Sequence, residues 1–241
     1  FENLFFKGDF SSHSGWAMDL QAPFRSTFRN IEGNGVGNGI KLSSTNAAFN
    51  PGNCTFDRVF MALQGANNGH AYELYTSNTG GLFILCTFTQ CEAIDQKAGS
   101  TTSIGWYLRG SSTDYYTTRN IRIEQSNIEQ FNTCVKVEHA SDNYVQLSYA
   151  DTKTGGKIFD VSSDSLSNKL YCDTGYVAPG NTTNFIVDAN TSTTQPNIAG
   201  GYEAYVDTGS TLSITPSTST ILERLAASGP GTIDAKFVFA L

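Results

Sequence analysis

The sequence has few charged residues, no long apolar run and no cluster of basic side chains. Charged residues make up 15% of the 241, against roughly 25% in an average soluble domain. No apolar stretch approaches the ~20 residues that a membrane-spanning helix needs, and no charged-then-apolar leader is present. The formal net charge of −7 argues against a nucleic-acid partner, because such binding depends on Lys and Arg neutralising phosphates. We therefore expect neither membrane insertion nor nucleic-acid binding.

Motifs for metals and nucleotide cofactors are missing as well. The five cysteines include no close Cys-x-x-Cys pair, and the three histidines lack the spacing of metal ligands. The glycine-rich segment 33–39 lacks the lysine and the strand-to-helix context of a phosphate-binding loop, so it indicates a turn. We expect no metal site and no cofactor, and an odd number of cysteines predicts buried, reduced thiols.

An internal repeat is present, and its first part is an apolar residue followed three positions later by another. The pairs are Phe28 and Ile31, Phe56 and Val59, Phe88 and Cys91, and Ile128 and Phe131. Two residues before each pair stands a small side chain, in the order Ser26, Cys54, Cys86 and Ser126. If the repeats stack, these small residues form one inward column with Cys54 beside Cys86.

The second part of the repeat is a short strand of alternating apolar and polar residues. The strands are Met18-Asp19-Leu20, Ile40-Lys41-Leu42, Tyr72-Glu73-Leu74, Trp106-Tyr107-Leu108, Val135-Lys136-Val137, Phe159-Asp160-Val161 and Phe185-Ile186-Val187. Successive strands lie 22 to 34 residues apart, with turn-rich insertions in the longer intervals. A sandwich or an up-and-down barrel is the alternative. A parallel coil explains better why one apolar signature returns in the same order, since each turn stacks on the last.

With stacked strands, asparagine-rich turns and no apolar helical stripe, residues Phe1 to about Asp188 resemble the pectate-lyase-like right-handed parallel β-helix superfamily. The wide insertions and the Ser/Thr/Gly-rich tail look most like bacteriophage tailspike and tail-fibre proteins. The resemblance implies a rigid homotrimer of the virion tail, acting outside the cell, that binds and often cleaves a bacterial surface polysaccharide. No family motif places catalytic residues on named positions of this chain.

The fold class predicted is all-β, a right-handed parallel β-helix with a small β-rich C-terminal cap. Residues 1–189 form the predicted β-helix, and 190–241 form a cap or trimerisation segment with strands over 202–206, 210–214 and 236–239. The pattern already begins as a strand over 1–10, so the natural protein is expected to continue N-terminally.

The middle residue of each alternating strand should point outward, and neighbouring turns should lie about 4.8 Å apart. The first outward column is predicted as Asp19, Lys41, Glu73, Tyr107, Lys136 and Asp160. The second, two residues on, is predicted as Gln21, Ser43, Tyr75, Arg109, Glu138 and Ser162. Aromatic rings stack on sugar rings while charged and amide groups bond hydroxyls. The substrate-binding candidates are therefore Lys41, Tyr75, Tyr107, Arg109, Lys136 and Glu138.

Two catalytic readings of this face are open. Asp19 and Glu73 stand two turns apart, about 9.6 Å, near the ~6.5–9.5 Å carboxylate separation of an inverting glycosidase, so they are the catalytic candidates. The alternative for these two is an ordinary charge ladder through Lys41. A lyase would instead use Tyr107 with Arg109 or Lys136, unless these side chains serve packing or trimer contacts.

The leading functional hypothesis is a tailspike-like protein that binds, and in one version depolymerises, a bacterial surface polysaccharide, located in the virion tail or outside the cell. A non-catalytic structural or receptor-binding fibre is the first alternative. A secreted cellular polysaccharide lyase or glycoside hydrolase is the second.

Overall fold

The computed structural model describes residues 1–8, 15–46, 50–64, 69–77, 81–114 and 116–235, and this part of the chain is all-β. The strands are β1 Glu2–Lys7, β2 Trp16–Gln21, β3 Thr27–Val36, β4 Asn38–Ser44, β5 Thr55–Leu63, β6 His70–Thr76, β7 Phe83–Ile84, β8 Thr87–Thr89, β9 Glu92–Asp95, β10 Ile104–Arg109, β11 Thr118–Arg119, β12 Arg122–Glu138, β13 Tyr144–Val161, β14 Lys169–Val177, β15 Thr182–Asp188, β16 Ile198–Gly200, β17 Glu203–Val206, β18 Thr211–Thr215, β19 Ile221–Glu223, β20 Ala226–Ser228 and β21 Thr232–Ala235.

Each strand pairs in parallel with strands one turn earlier and one turn later in the chain. Face A consists of β2, β4, β6, β10, residues 133–138 of β12, residues 156–161 of β13, β15, β18 and β21. Face B consists of β1, β3, β5, β8, β9, the first parts of β12 and β13, β14, β16, β17, β19 and β20. A short third face joins β7 to β11. The chain is therefore a parallel β-helix, because an antiparallel sandwich or barrel would alternate strand direction.

The coil continues beyond the predicted domain boundary at residue 189. Strands β16 to β21 pair in parallel with β14, with β15 and then with one another, which adds turns to faces A and B. The strands expected over 202–206 and 210–214 are present as β17 and β18. The strand expected over 236–239 lies outside the described residues, as does the end of the one expected over 1–10. A trimerising role for 190–241 stays a prediction.

The interior of face B contains a stack of phenylalanine rings. Phe28, Phe56 and Phe88 are paired in register and fully buried. The ring centroids of Phe28 and Phe56 lie 4.4 Å apart, and those of Phe56 and Phe88 lie 4.7 Å apart. Phe1 covers the end of the stack at 5.0 Å from Phe28. A one-turn repeat places like side chains above one another, and their contacts stabilise the coil along its axis.

The predicted column of small residues is correct for Cys54 and Cys86 and wrong for Ser126. Thr55 pairs with Thr87, which stacks Cys54 directly beneath Cys86, and all five cysteines are buried free thiols. Arg122 pairs with Thr87, so the next residue of this column is Ile121. The apolar pair Ile128 and Phe131 does not belong to this part of the repeat. It lies farther along β12, which continues through the next bend without a break.

Further along the chain, this same corner column is filled by stacked asparagines. Register places Asn143, Asn168 and Asn197 one above another, and all three are buried. Oδ1 of Asn168 accepts hydrogen bonds from the backbone N of Asn143 at 3.2 Å and from its Nδ2 at 3.0 Å. Oδ1 of Asn197 accepts the same pair from Asn168 at 2.9 and 3.1 Å. These side-chain oxygens give hydrogen-bond partners to the buried backbone N–H groups of Asn143 and Asn168, which would otherwise have none in this turn.

A second corner, within face B, bends the chain through a left-handed residue. Asn3, Asn30, Arg58, Gln90 and Gln125 occupy equivalent positions in five successive turns, with φ between 53° and 56°. The bend divides β3, β5 and β12, and it separates β8 from β9. The register with β13 shifts between Ile123 and Ser126 and shifts back between Ser126 and Asn127. β13 passes this corner without a left-handed residue.

Candidate active site on face A

The two outward columns predicted on face A are confirmed in register. Asp19, Lys41, Glu73, Tyr107, Lys136 and Asp160 pair in that order on neighbouring strands. Gln21, Ser43, Tyr75, Arg109 and Glu138 pair likewise. The intervening Leu42, Leu74 and Leu108 are fully buried. Alternation along each strand therefore sends the apolar side chains inward and the polar ones outward.

Lysine and arginine side chains on face A lie over aromatic rings. The Nζ atom of Lys41 lies 5.8 Å from the ring centroid of Trp16 and 5.5 Å from that of Tyr75. The guanidinium carbon of Arg109 lies 5.0 Å from the Tyr75 centroid. These distances suit cation–π attraction, which holds the side chains in place across neighbouring turns.

Tyr107 and Glu138 form the most tightly bonded part of the face. The Tyr107 hydroxyl donates a short hydrogen bond to Oε2 of Glu138, and Nζ of Lys136 lies 3.5 Å from the same oxygen. Burial and this bond raise the pKa of Tyr107. Burial would raise the pKa of Glu138, but the Tyr107 bond and the Lys136 and Arg109 charges outweigh it and lower that pKa. Tyr107 therefore keeps its proton, and Glu138 stays ionised.

His70 and Glu73 make a second pair, which sequence reasoning did not identify. Nδ1 of His70 lies 2.8 Å from Oε2 of Glu73, whose side chain is only 9% exposed. The edge of the His70 ring also meets Tyr107, with centroids 5.3 Å apart and planes at 89°. A carboxylate bonded to one imidazole nitrogen orients the ring and leaves the other nitrogen for proton transfer.

The reason His70 was missed is a break in the alternation. Regular alternation along the strand would place the side chain of residue 71 on the same outer side as that of Glu73. Ala71 and Tyr72 are instead both fully buried, so residue 70 takes the outward position beside Glu73. Gly39 and Gly105 stand at the positions equivalent to Ala71 in the neighbouring turns. This row of small residues is the feature of the sequence that could have indicated the break in alternation.

The catalytic candidates Asp19 and Glu73 stand in one column with Lys41 between them. Asp19 is exposed, whereas Glu73 is 7% exposed and bonded to His70. Among the described residues no ion pair within 4.0 Å joins Lys41 to either carboxylate. The lysine contacts aromatic rings instead of forming a simple charge ladder. A catalytic role for Asp19 and Glu73 stays a prediction.

Two further ion pairs lie near this face. Nζ of Lys157 lies 2.9 Å from Oδ2 of Asp160, and Nδ1 of His139 bonds Oδ2 of Asp164. His13 lies outside the described residues. Within the described ranges no group of three or more His, Cys, Asp or Glu side chains is arranged to hold a metal ion.

Fold and face together define a parallel β-helix with an aromatic and charged outer surface. Comparison of the chain with protein-family models, curated proteins and solved structures found no match. In the described part of the chain, no helix is long and apolar enough to cross a membrane.

Proposed function

We propose that face A binds an extended polysaccharide. The observation that carries the proposal is the arrangement of the rings of Trp16, Tyr75 and Tyr107 among charged side chains on consecutive turns. A rigid surface with a repeat of about 4.8 Å presents several such groups to one sugar chain at little entropic cost. The exposed parts of the Trp16 and Tyr75 rings suit pyranose CH groups, while Tyr107 is buried beneath its neighbours. The adjoining carboxylates and cations suit hydroxyl and acidic substituents.

Binding to a panel of bacterial capsular and O-antigen polysaccharides tests this proposal. We expect one member to bind, and Tyr75→Ala to weaken binding by about tenfold or more, the equivalent of ~1.4 kcal/mol. Tyr205→Ala is the matched control, because Tyr205 is 48% exposed and lies on face B. Equal loss in both variants, or none in Tyr75→Ala, would contradict the proposal.

Depolymerisation is the second candidate function, and the His70–Glu73 pair beside Tyr107 favours it. An oriented imidazole can accept a proton, and the protonated Tyr107 hydroxyl beside it can donate one. A uronate lyase would use His70 as base and Tyr107 as acid, with Lys136 near the developing charge. A hydrolase would draw on Asp19 and Glu73.

Product chemistry separates these readings. Reducing ends with ultraviolet absorbance from unsaturated sugars would indicate a lyase, and His70→Ala should then abolish turnover while His139→Ala does not. Reducing ends without that absorbance would indicate a hydrolase and direct substitution to Asp19. Binding without any product would leave the non-catalytic fibre as the function.

We further propose that the protein acts as a homotrimeric tailspike-like component of a phage tail, with a bacterial surface polysaccharide as its partner. The support is the resemblance described from the sequence together with the parallel β-helix. The alternative is a secreted cellular lyase or hydrolase. Light scattering after size-exclusion chromatography tests the assembly, with a trimer mass expected and a monomer mass contradicting it.

A further inference from the structure

A groove lies on face B and has no part in the face A site. It has a volume of about 280 Å³, and its lining includes Tyr144, Gln146, Tyr171, Asp173 and Glu223. The ring centroids of Tyr144 and Tyr171 are 5.8 Å apart with planes at 46°, so the two rings pack against each other at a tilt. The guanidinium carbon of Arg122 lies 5.0 Å from the Tyr144 centroid. The volume is just under the ~300 Å³ at the lower end of small-molecule pockets.

Two glycines keep the space beside Tyr171 open. Gly200 pairs with Tyr171 on one side and with Glu223 on the other, so no side chain stands between them. The Tyr171 hydroxyl crosses this gap and donates to Oε2 of Glu223 at 3.1 Å. A β-carbon on Gly201, whose φ is +67°, would lie 3.6 Å from the Tyr171 ring. The Tyr171 ring therefore lies beside glycine backbone, and neither Gly200 nor Gly201 places a side chain against it.

The polar atoms of the groove form connected hydrogen bonds. The Tyr144 hydroxyl donates to Oε1 of Gln146 at 3.3 Å, and Nε2 of Gln146 donates to Oδ2 of Asp173 at 3.1 Å. The carboxylates of Asp173 and Glu223 are acceptors for hydroxyl donors and repel an anionic ligand. Arg224, which also lines the groove, is bonded to Glu203 at 3.2 Å.

We infer that this groove binds one uncharged pyranose ring, making it a second glycan site on a different face from the first. The outer face of the Tyr171 ring takes the CH face of the sugar. The carboxylates and the amide accept and donate bonds to its hydroxyls. The chemistry differs from face A, where Lys41, Arg109 and Lys136 supply cations.

Saturation-transfer NMR with the methyl glycosides of glucose, galactose, mannose and N-acetylglucosamine tests the inference. We expect transfer to at least one glycoside with millimolar affinity, as a single ring in a shallow groove allows. Tyr171→Ala should weaken binding about tenfold or more, and Asp173→Ala should weaken it with less risk to folding. Tyr171→Phe keeps the ring and loses the bond to Glu223. Its affinity for the glycoside should therefore lie between those of the native protein and Tyr171→Ala.

Controls locate the sugar. Tyr205→Ala should leave the glycoside signal unchanged, because Tyr205 lies on face B but outside the groove lining. No transfer to any of the four glycosides would overturn the inference. So would unchanged binding in both Tyr171→Ala and Asp173→Ala. A change of oligomeric state in Tyr171→Ala, without any sugar signal in the native protein, would assign the groove to subunit contact instead.

Discussion

The Nδ1 atom of His70 lies 2.8 Å from Oε2 of Glu73, three residues along the same strand, and both side chains face outward. A regular strand places residues i and i+3 on opposite sides. Here Ala71 and Tyr72 both turn inward, so the pair shares one side. The contact shields a carboxylate that is 7% exposed and fixes the ring beside Tyr107.

Loss of this partner should destabilise the fold. His70→Ala leaves the Glu73 carboxylate buried and unpaired, so we expect the free energy of unfolding in urea to fall by about 1–3 kcal/mol. Adding Glu73→Gln should recover part of the loss, because a neutral amide costs less to bury than a charge. His139→Ala is the control and should cost less, since its partner Asp164 is 37% exposed. Equal losses in the two histidine variants would contradict the argument.

The phenylalanine stack should be most sensitive at its centre. Phe56→Ala removes a fully buried ring from between two others, so we expect a loss of about 3–5 kcal/mol in urea unfolding. Phe1→Ala, at the same column but 70% exposed, should cost far less. Comparable losses at the two positions would show that the stack does not carry axial stability.

The asparagine ladder should behave as a chain of obligatory bonds. Asn168→Ala removes the acceptor for the backbone N of Asn143 and the donor to the backbone O of Ala140. We expect a loss of about 1–3 kcal/mol for each buried group left unpaired. Asn184→Ala, which loses one longer bond of 3.4 Å at a half-buried site, is the control. If Asn168→Ala did not change the stability, water would be replacing the lost asparagine hydrogen bonds.

Glu138 should contribute stability at neutral pH that acid removes. Its pKa is lowered, because the Tyr107 bond and neighbouring cations outweigh the effect of burial. A carboxylate with a lowered folded-state pKa stabilises above its unfolded value of about 4.3 and loses that contribution as pH falls through the folded value. The deficit of Glu138→Gln in thermal unfolding should therefore be larger near pH 7 than near pH 3. If the loss of stability in Glu138→Gln did not depend on pH, the packing of the side chain and not its charge would account for its contribution.

Asp188 should show the opposite pH dependence. Burial raises its pKa despite bonds from Asn190, Asn197 and Thr220. A carboxyl group with a raised folded-state pKa contributes most below its unfolded value of about 3.9, and that contribution is lost as pH rises through the folded value. The stability of Asp188→Asn relative to the native protein should thus improve from about pH 4 to pH 7. A relative stability that falls over this range would refute the assignment.

Sequence reasoning succeeded where each turn carries one strand with apolar flanks. On face A, Ile40-Lys41-Leu42 and its counterparts set the register without ambiguity, because a shift by one residue would turn the leucines outward. It failed at Ser126, because the counterpart of Phe88 is Ile123, which has the polar Ser126 three residues on. The apolar pair Ile128 and Phe131 lies farther along β12. Neither Tyr144 nor Tyr171 was identified, since face B has no motif that marks its outer residues.

The sequence by itself determined the parallel coil and the order of the outward columns on face A, because an interior stack must be apolar in every turn. Only the tertiary structure decided how those side chains pair. Contacts such as His70 with Glu73 depend on local breaks in alternation. The face B groove depends on Gly200 and Gly201, which lie 29 and 30 residues beyond Tyr171 in the chain. The first contact forms within one strand whose alternation is interrupted, and the groove forms across turns of the coil. No repeated apolar pattern marks either of them in the sequence.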